Sequence, residues 1–159
     1  MKTFTIILFT IFLNACGGSK TAASEQGKLT NYNVEEREMG YENVNIKYVT
    51  HARGNFQKII LDNKSVSVQK GYESKPITKT CSDKDWKALI ALVKSSNLKE
   101  LTQLEAPSKA HRYDGAAMAN FTITLGRSVY DLKPFDAGNP HEKYANLVNK
   151  VIKIAETSN

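Results

Sequence analysis

Between residues 43 and 157 the hydrophobic pattern switches period three times, and those switches restrict the fold more than any other feature. Val44, Ile46 and Tyr48 alternate with Asn45, Lys47 and Val49, the period of two of a half-buried strand. Gly54 interrupts, and Phe56 to Leu61 reads as a second strand. Asp62-Asn63-Lys64 is a turn, because Asp and Asn bond their own backbone and tolerate positive φ. Val66 and Val68 continue as a third strand, Gly71 ends it, and Pro76 lies in the connection. Then the period becomes 3.6. Trp86, Leu89, Ile90, Leu92 and Val93 share a helical face, with Ser82 as the cap and Asp83 and Asp85 complementing the dipole. This helix is predicted to reach about Ser95, and Leu98, Leu101 and Leu104 form a short turn that packs inward. Residues 105–115 read as a loop. Phe121, Ile123 and Leu125 return to period two, Gly126-Arg127 makes a tight hairpin turn, and Val129 to Phe135 is the return strand with Pro134 near its end. Residues 136–140 form a turn. A closing helix sets Tyr144, Leu147, Val148, Val151, Ile152 and Ala155 on one face. Strands, helix, strands, helix predict an α+β domain: an antiparallel sheet in the order β-β-β-α-β-β-α, with two helices packed on one face.

The first residues obey other rules. Met1-Lys2 carries a positive charge, and the uncharged run from Thr3 to Leu13 follows. As a helix that run spans roughly 16 Å, about half of a ~30 Å hydrocarbon core. It suits the apolar region of a signal peptide better than a membrane span. Leu13-Asn14-Ala15-Cys16-Gly17 comes next. Leu13, the small Ala15 and Cys16 resemble the lipobox of bacterial lipoproteins, with Asn14 a mild departure. The resemblance implies cleavage before Cys16, with Leu13 and Ala15 as the flank, and lipid on the Cys16 thiol. It also implies a lipid-anchored location at the cell membrane or outer membrane. Gly17, standing where Asp would retain a lipoprotein in the inner membrane of some two-membrane bacteria, favours the outer membrane, and the lack of an acidic export tag right after Cys16 favours the periplasmic side. Two or more acyl chains anchor firmly where one does not, since each buried CH₂ contributes about 0.8 kcal/mol.

The predicted organisation is a signal peptide over 1–15, a lipidated tether over 16–42 and one α+β domain over 43–157. Gly17 to Lys28 is small and polar and cannot build a core. About 25 flexible residues have an r.m.s. reach of ~28 Å, enough to lift a domain off the headgroups.

Charge and cysteine usage narrow the function classes. The net charge is +6 over 159 residues, and Lys2 would leave with the leader. The cations are spread along the chain, with neither a basic stripe nor a nucleic-acid-binding module, so no nucleic-acid partner is expected. An anionic membrane surface or an acidic partner is compatible with the charge. With Cys16 lipidated, Cys81 has no partner for an intramolecular disulfide. It reads as a small, partly buried residue at the start of a helix; the sharper reading is a reactive thiol paired with His111.

No catalytic or metal motif is complete. His51, His111 and His141 lack metal-ligand spacing, and His141-Glu142 fails as a zinc-protease motif because Ala145 stands where the second His is needed. Ser96-Asn97-Leu98-Lys99 has the Ser-x-x-Lys spacing of penicillin-binding enzymes without its companion motifs. No cofactor is implied. Arg112, Tyr113 and Asp114 are the binding candidates, because loops on a rigid scaffold carry recognition; the plainer reading is that Asp114-Gly115 is a turn before a strand.

Ala52-Arg53-Gly54-Asn55-Phe56, between two early strands, resembles the Gly-Gly-Phe turn of emfourin-type inhibitors of bacterial metalloproteases, with Asn55 in place of the second glycine. The later order of strand, Leu-rich helix, hairpin and terminal helix is also similar, over residues 43 to 155. The resemblance implies a protein that plugs a protease cleft with loops, without catalysis. The leading expectation is a lipid-anchored, non-enzymatic binding or structural domain of the cell envelope, attached to the membrane through Cys16 and open to a protein partner. An emfourin-type inhibitor is the alternative, and an envelope hydrolase or thiol enzyme comes third.

Overall fold

The computed structural model describes residues 41–158. Leu13, Ala15, Cys16 and residues 17–40 of the predicted tether lie outside the described residues; Tyr41, predicted as tether, packs against the core. The order is β1 (Val44–Ala52), β2 (Asn55–Asp62), β3 (Ser65–Lys70), β4 (Ile77–Thr80), α1 (Asp83–Ser95), α2 (Leu98–Leu101), β5 (Met118–Leu125), β6 (Ser128–Asp131), β7 (Phe135–Asp136) and α3 (Glu142–Thr157). It is the expected α+β fold. One seven-stranded antiparallel sheet runs β4-β3-β2-β1-β5-β6, with β7 also paired to β5.

Alternation decides which face is covered. Val44, Ile46 and Tyr48 of β1 pair in register with Leu61 and Ile59 of β2 and with Leu125, Ile123 and Phe121 of β5. All point to one face. They join a single core with Leu89 and Val93 of α1 and with Tyr144, Leu147, Val148, Val151 and Ile154 of α3. Each fully buried aliphatic or aromatic side chain contributes about 1.5–3 kcal/mol relative to exposure, so this seam outweighs any surface pair. The opposite face carries Asn45, Lys47, Lys58, Ser67, Thr122 and Thr124, as a half-solvated antiparallel sheet should.

Local chemistry sets the element ends. Asn63 takes φ 51° and Gly126 φ 55°, letting two-residue turns close both hairpins. Ser82 Oγ accepts from the Asp85 N–H at 3.1 Å and starts α1. The hydroxyls of Ser95 and Ser96 both donate to the Leu92 carbonyl where it ends. Asn97 Oδ1 accepts from the Glu100 N–H and starts α2, the inward-packing turn that Leu98 and Leu101 predicted. His141 is the cap of α3, its Nδ1 accepting from the Lys143 N–H at 3.2 Å.

Three expectations need correction. Ile77–Thr80 forms an edge strand that the sequence pattern did not signal, since its side chains are mostly exposed and show no alternation. Residues 105–115 are not wholly irregular: Ala110–Tyr113 is a 3-10 turn. The return strand from Val129 to Phe135 is broken. Thr122 pairs with Asp131 but Ala119 pairs with Phe135, so one extra residue is absorbed in between. Pro134, which has no N–H to give the ladder, lies in that bulge. Asp136, expected in a turn, is therefore a strand residue opposite Met118.

Candidate functional site

The pairing His51 with Phe56 and with Met118, and Met118 with Asp136, puts four segments at one end of the sheet. These are the β1–β2 turn at Arg53-Gly54, the β3–β4 loop, residues 105–117, and the chain after β7. Met118 points away from the core, so Asp136 does too. It is nevertheless 4 % exposed, because the 108–111 segment folds over it.

Asp136 is the anchor of that segment. Its Oδ2 accepts from the Ser108 hydroxyl and from the Ala110 N–H at 2.9 Å; its Oδ1 accepts from the His111 N–H at 2.7 Å and meets the His111 imidazole at Nδ1. Asn139 Nδ2 adds a bond to Ser108 Oγ at 2.8 Å. The Ser108 hydroxyl first, then the His111 and Ala110 donors, hold the Asp136 carboxyl well below the usual carboxylate range against its desolvation. A carboxylate, not an imidazole, is at the centre. Ser108 donates to Asp136 rather than to a base, so the trio positions a loop and does not activate a nucleophile. Glu105 secures the start of the same segment. Lys133 and then Lys109 hold its pKa down to about 2.

On this anchored loop stand the sequence candidates. Arg112, Tyr113 and Asp114 are all exposed, Tyr113 at 85 %. Asp114 takes φ 58° and ends the 3-10 turn, so the turn reading of Asp114-Gly115 also holds. Gly115 packs where a Cβ would come within 3.3 Å of Ala110. Arg53, in the turn compared above with emfourin-type inhibitors, reaches Asp114 at 3.2 Å. Gly54 sits at φ 71° with open space around it. Sequence reasoning proposed these two regions separately; the register brings them together.

The β3–β4 loop completes the edge, and no pattern pointed to it. Tyr72, 64 % exposed, stacks on Phe56 with ring centroids 4.4 Å apart. Gln69 Nε2 donates to the carbonyls of Gly71 and Tyr72, the Gly71 N–H donates to the Phe56 carbonyl at 2.8 Å, and Ser74 Oγ donates to the carbonyls of Lys70 and Gly71. An exposed aromatic on a loop that short was the only available signal.

The thiol reading fares differently. Cys81 is 3 % exposed, its Sγ is 3.4 Å from the Ser82 carbonyl, and burial pushes its thiol pKa up. The Cys81 N–H bonds the Lys64 carbonyl beside the β2–β3 turn, the end of the sheet opposite to His111. The two do not meet, and a buried thiol with a raised pKa is a poor nucleophile. His51 and His111 lie at the loop end on different elements and His141 caps α3; among the described residues no group of three or more His, Cys, Asp or Glu is placed to hold a metal ion.

A shallow cleft of about 390 Å³ between α1, α2 and α3 is bridged by the Lys143–Glu100 pair at 2.6 Å. Its Ser95, Ser96 and Asn97 side chains are already spent on helix ends. Among the described residues no helix is long and apolar enough to cross a membrane. No protein-family model, no curated protein and no solved structure matches the chain.

Proposed function

We propose that the chain is a lipid-anchored protein of the cell envelope whose α+β domain binds a protein partner and performs no catalysis. The loop edge carries the reading. Tyr72, Arg112 and Tyr113 are exposed on segments pre-ordered by bonds to Asp136 and by the Gln69 and Ser74 turns, and the exposed Arg53 reaches the same edge at Asp114. Tyr and Arg are the residue types that anchor interfaces, and a loop already ordered loses little entropy on binding. A photo-crosslinking amino acid at position 113 is expected to capture a discrete envelope protein, and one at Ser128, on the far edge, is not. Arg53→Ala with Arg112→Ala should reduce capture at least tenfold. Equal capture from both positions would sink the assignment of this edge. The anchor has its own check, because Cys16→Ser should abolish lipid labelling and membrane retention.

The exposed turn at residues 52–56 supports a second reading, an inhibitor of the emfourin type. It requires stoichiometric inhibition of a thermolysin-like protease, lost in Arg53→Ala with Asn55→Ala. Absence of inhibition at micromolar concentration rejects it.

A further inference from the structure

The end of the sheet opposite the loop edge gathers a different set of groups. The Asn63 N–H donates to the Val44 carbonyl at 3.1 Å, and the Gly126 N–H donates to the Asn43 carbonyl at 3.1 Å. Residues 41–44, where the domain meets residues 1–40, therefore share this end with the β2–β3 and β5–β6 turns. Helix α1 is tied to the same end twice. Asp83 is ion-paired with Lys64 of the β2–β3 turn, and Lys94 Nζ lies 5.0 Å from the centre of the Tyr41 ring.

The outward face of α1 is basic. Lys84, Lys87, Ala91 and Lys94 fall at i, i+3, i+7 and i+10, are all exposed, and lie opposite the buried Leu89 and Val93. The two acids of the helix are engaged elsewhere, Asp83 with Lys64 and Asp85 with Lys150 at 2.7 Å. Among the described residues the three lysines have no ion pair, and neither has Arg127, exposed in the neighbouring β5–β6 turn. Among the described residues, the acids of 41–44, 61–65 and 125–128 without an ion pair are Glu42 and Asp62.

We propose that this end is a membrane-facing surface: Lys84, Lys87, Lys94 and Arg127 lie against anionic phospholipid headgroups, and the loop edge is thereby turned away from the bilayer. The proposal takes its proximity to a bilayer from the lipid-anchor reading. β1 spans the distance between the two ends, about 26 Å. Each basic side chain near an anionic surface contributes about fivefold to partitioning. That is weak for a free protein and sufficient for a tethered one, whose second attachment is intramolecular.

The test uses residues 16–159 with Cys16→Ser, which carries no lipid. The chain is sedimented at low salt with vesicles of phosphatidylcholine alone and with vesicles that also contain phosphatidylglycerol. Binding is expected only to the anionic vesicles and should fall as salt shortens the Debye length toward ~10 Å. Lys84→Gln with Lys87→Gln and Lys94→Gln should lower partitioning on the order of 100-fold. Lys47→Gln with Lys58→Gln, on the open sheet face, is expected to leave most of it, and circular dichroism checks that each variant is folded. No binding, binding to both vesicle types, or equal losses in the two variants would overturn the proposal. So would binding that appears only after Glu35, Glu36 and Glu38 are changed to Gln, since the lysines would then serve the chain's own acidic run. None of these outcomes depends on Cys16, whose reading fails separately if the wild-type chain takes up no lipid.

Discussion

The two ends of the sheet use the same residue type in opposite ways. At the loop end, Asp136 is buried and collects bonds from Ser108, Ala110 and His111. At the other end, Asp83 sits on the surface and pairs with Lys64, and the half-buried Asp85 pairs with Lys150. A buried carboxylate saturated with donors orders the backbone around it, because every alternative conformation strands a charge away from water. Exposed pairs exchange readily with solvent and salt and order little. The loop end is therefore rigid around a polar centre, whereas the other end leaves most of its charge free to meet something else.

The largest blow to that contrast should come from Phe135→Ala. Phe135 is fully buried beside Asp136 and packs on Tyr144 with centroids 5.6 Å apart. Its removal is expected to cost about 3–5 kcal/mol in denaturant unfolding, through lost burial and the cavity left behind. A loss confined to the 105–117 loop, with global stability intact, would show that β7 is an appendage of the loop and not part of the core.

Asp136→Asn should come next, and its effect should be local. Amide exchange at residues 108–115 is expected to speed up more than exchange in β1 or β5, because the amide keeps the shape but loses the charge-assisted bonds. Uniform acceleration across the sheet would break the comparison.

Acid should act through the same residue. The Asp136 carboxyl is depressed in the fold, and Glu105 is depressed to about 2. Such groups stabilise fully above their unfolded pKa values, roughly 3.9 and 4.3, and that contribution is lost as the pH falls through the folded values. Tm is therefore expected to fall as the pH drops below about 4.5, and less steeply in Asp136→Asn than in the wild type. An unchanged slope would mean that other carboxylates govern acid unfolding.

The smaller effects belong to groups outside the anchor. The Tyr144 hydroxyl is buried without a hydrogen-bond partner among the described residues, and burial raises its pKa. Tyr144→Phe is expected to be neutral or stabilising by up to about 1 kcal/mol, measured by urea unfolding, since it removes an unpaired polar group. Lys64→Ala, which breaks only the exposed pair to Asp83, should leave Tm indistinguishable from wild type. A clear drop would mean that this end is braced by its ion pairs after all.

Much of the fold was legible because burial imposes a period. Val44-Ile46-Tyr48 and Leu89-Val93 announce a strand and a helix whatever they pack against. The misses share one cause. Ile77–Thr80 is an exposed edge held by the ladder to β3, and backbone pairing leaves no side-chain period. The break near Pro134 depends on a register that only β5 supplies. Of the loop edge, Arg112, Tyr113 and Asp114 could be named as a loop on a scaffold. That Arg53 reaches them, and that Tyr72 stands beside Phe56, follows from pairings between residues far apart in the chain.

By itself the sequence determined the α+β class, the order of the main elements and the core-facing residues, because hydrophobic period and caps are local. It also set out residues 1–16 as the stretch that makes a lipid anchor the reading to test. Only the tertiary structure decided that Asp136 is a buried anchor and not a turn residue, that Cys81 and His111 stand at opposite ends of the sheet, and that the lysines of α1 lie where residues 1–40 join the domain. Those facts depend on strand register and chain reversal, and neither leaves a mark on the nearest neighbours in sequence.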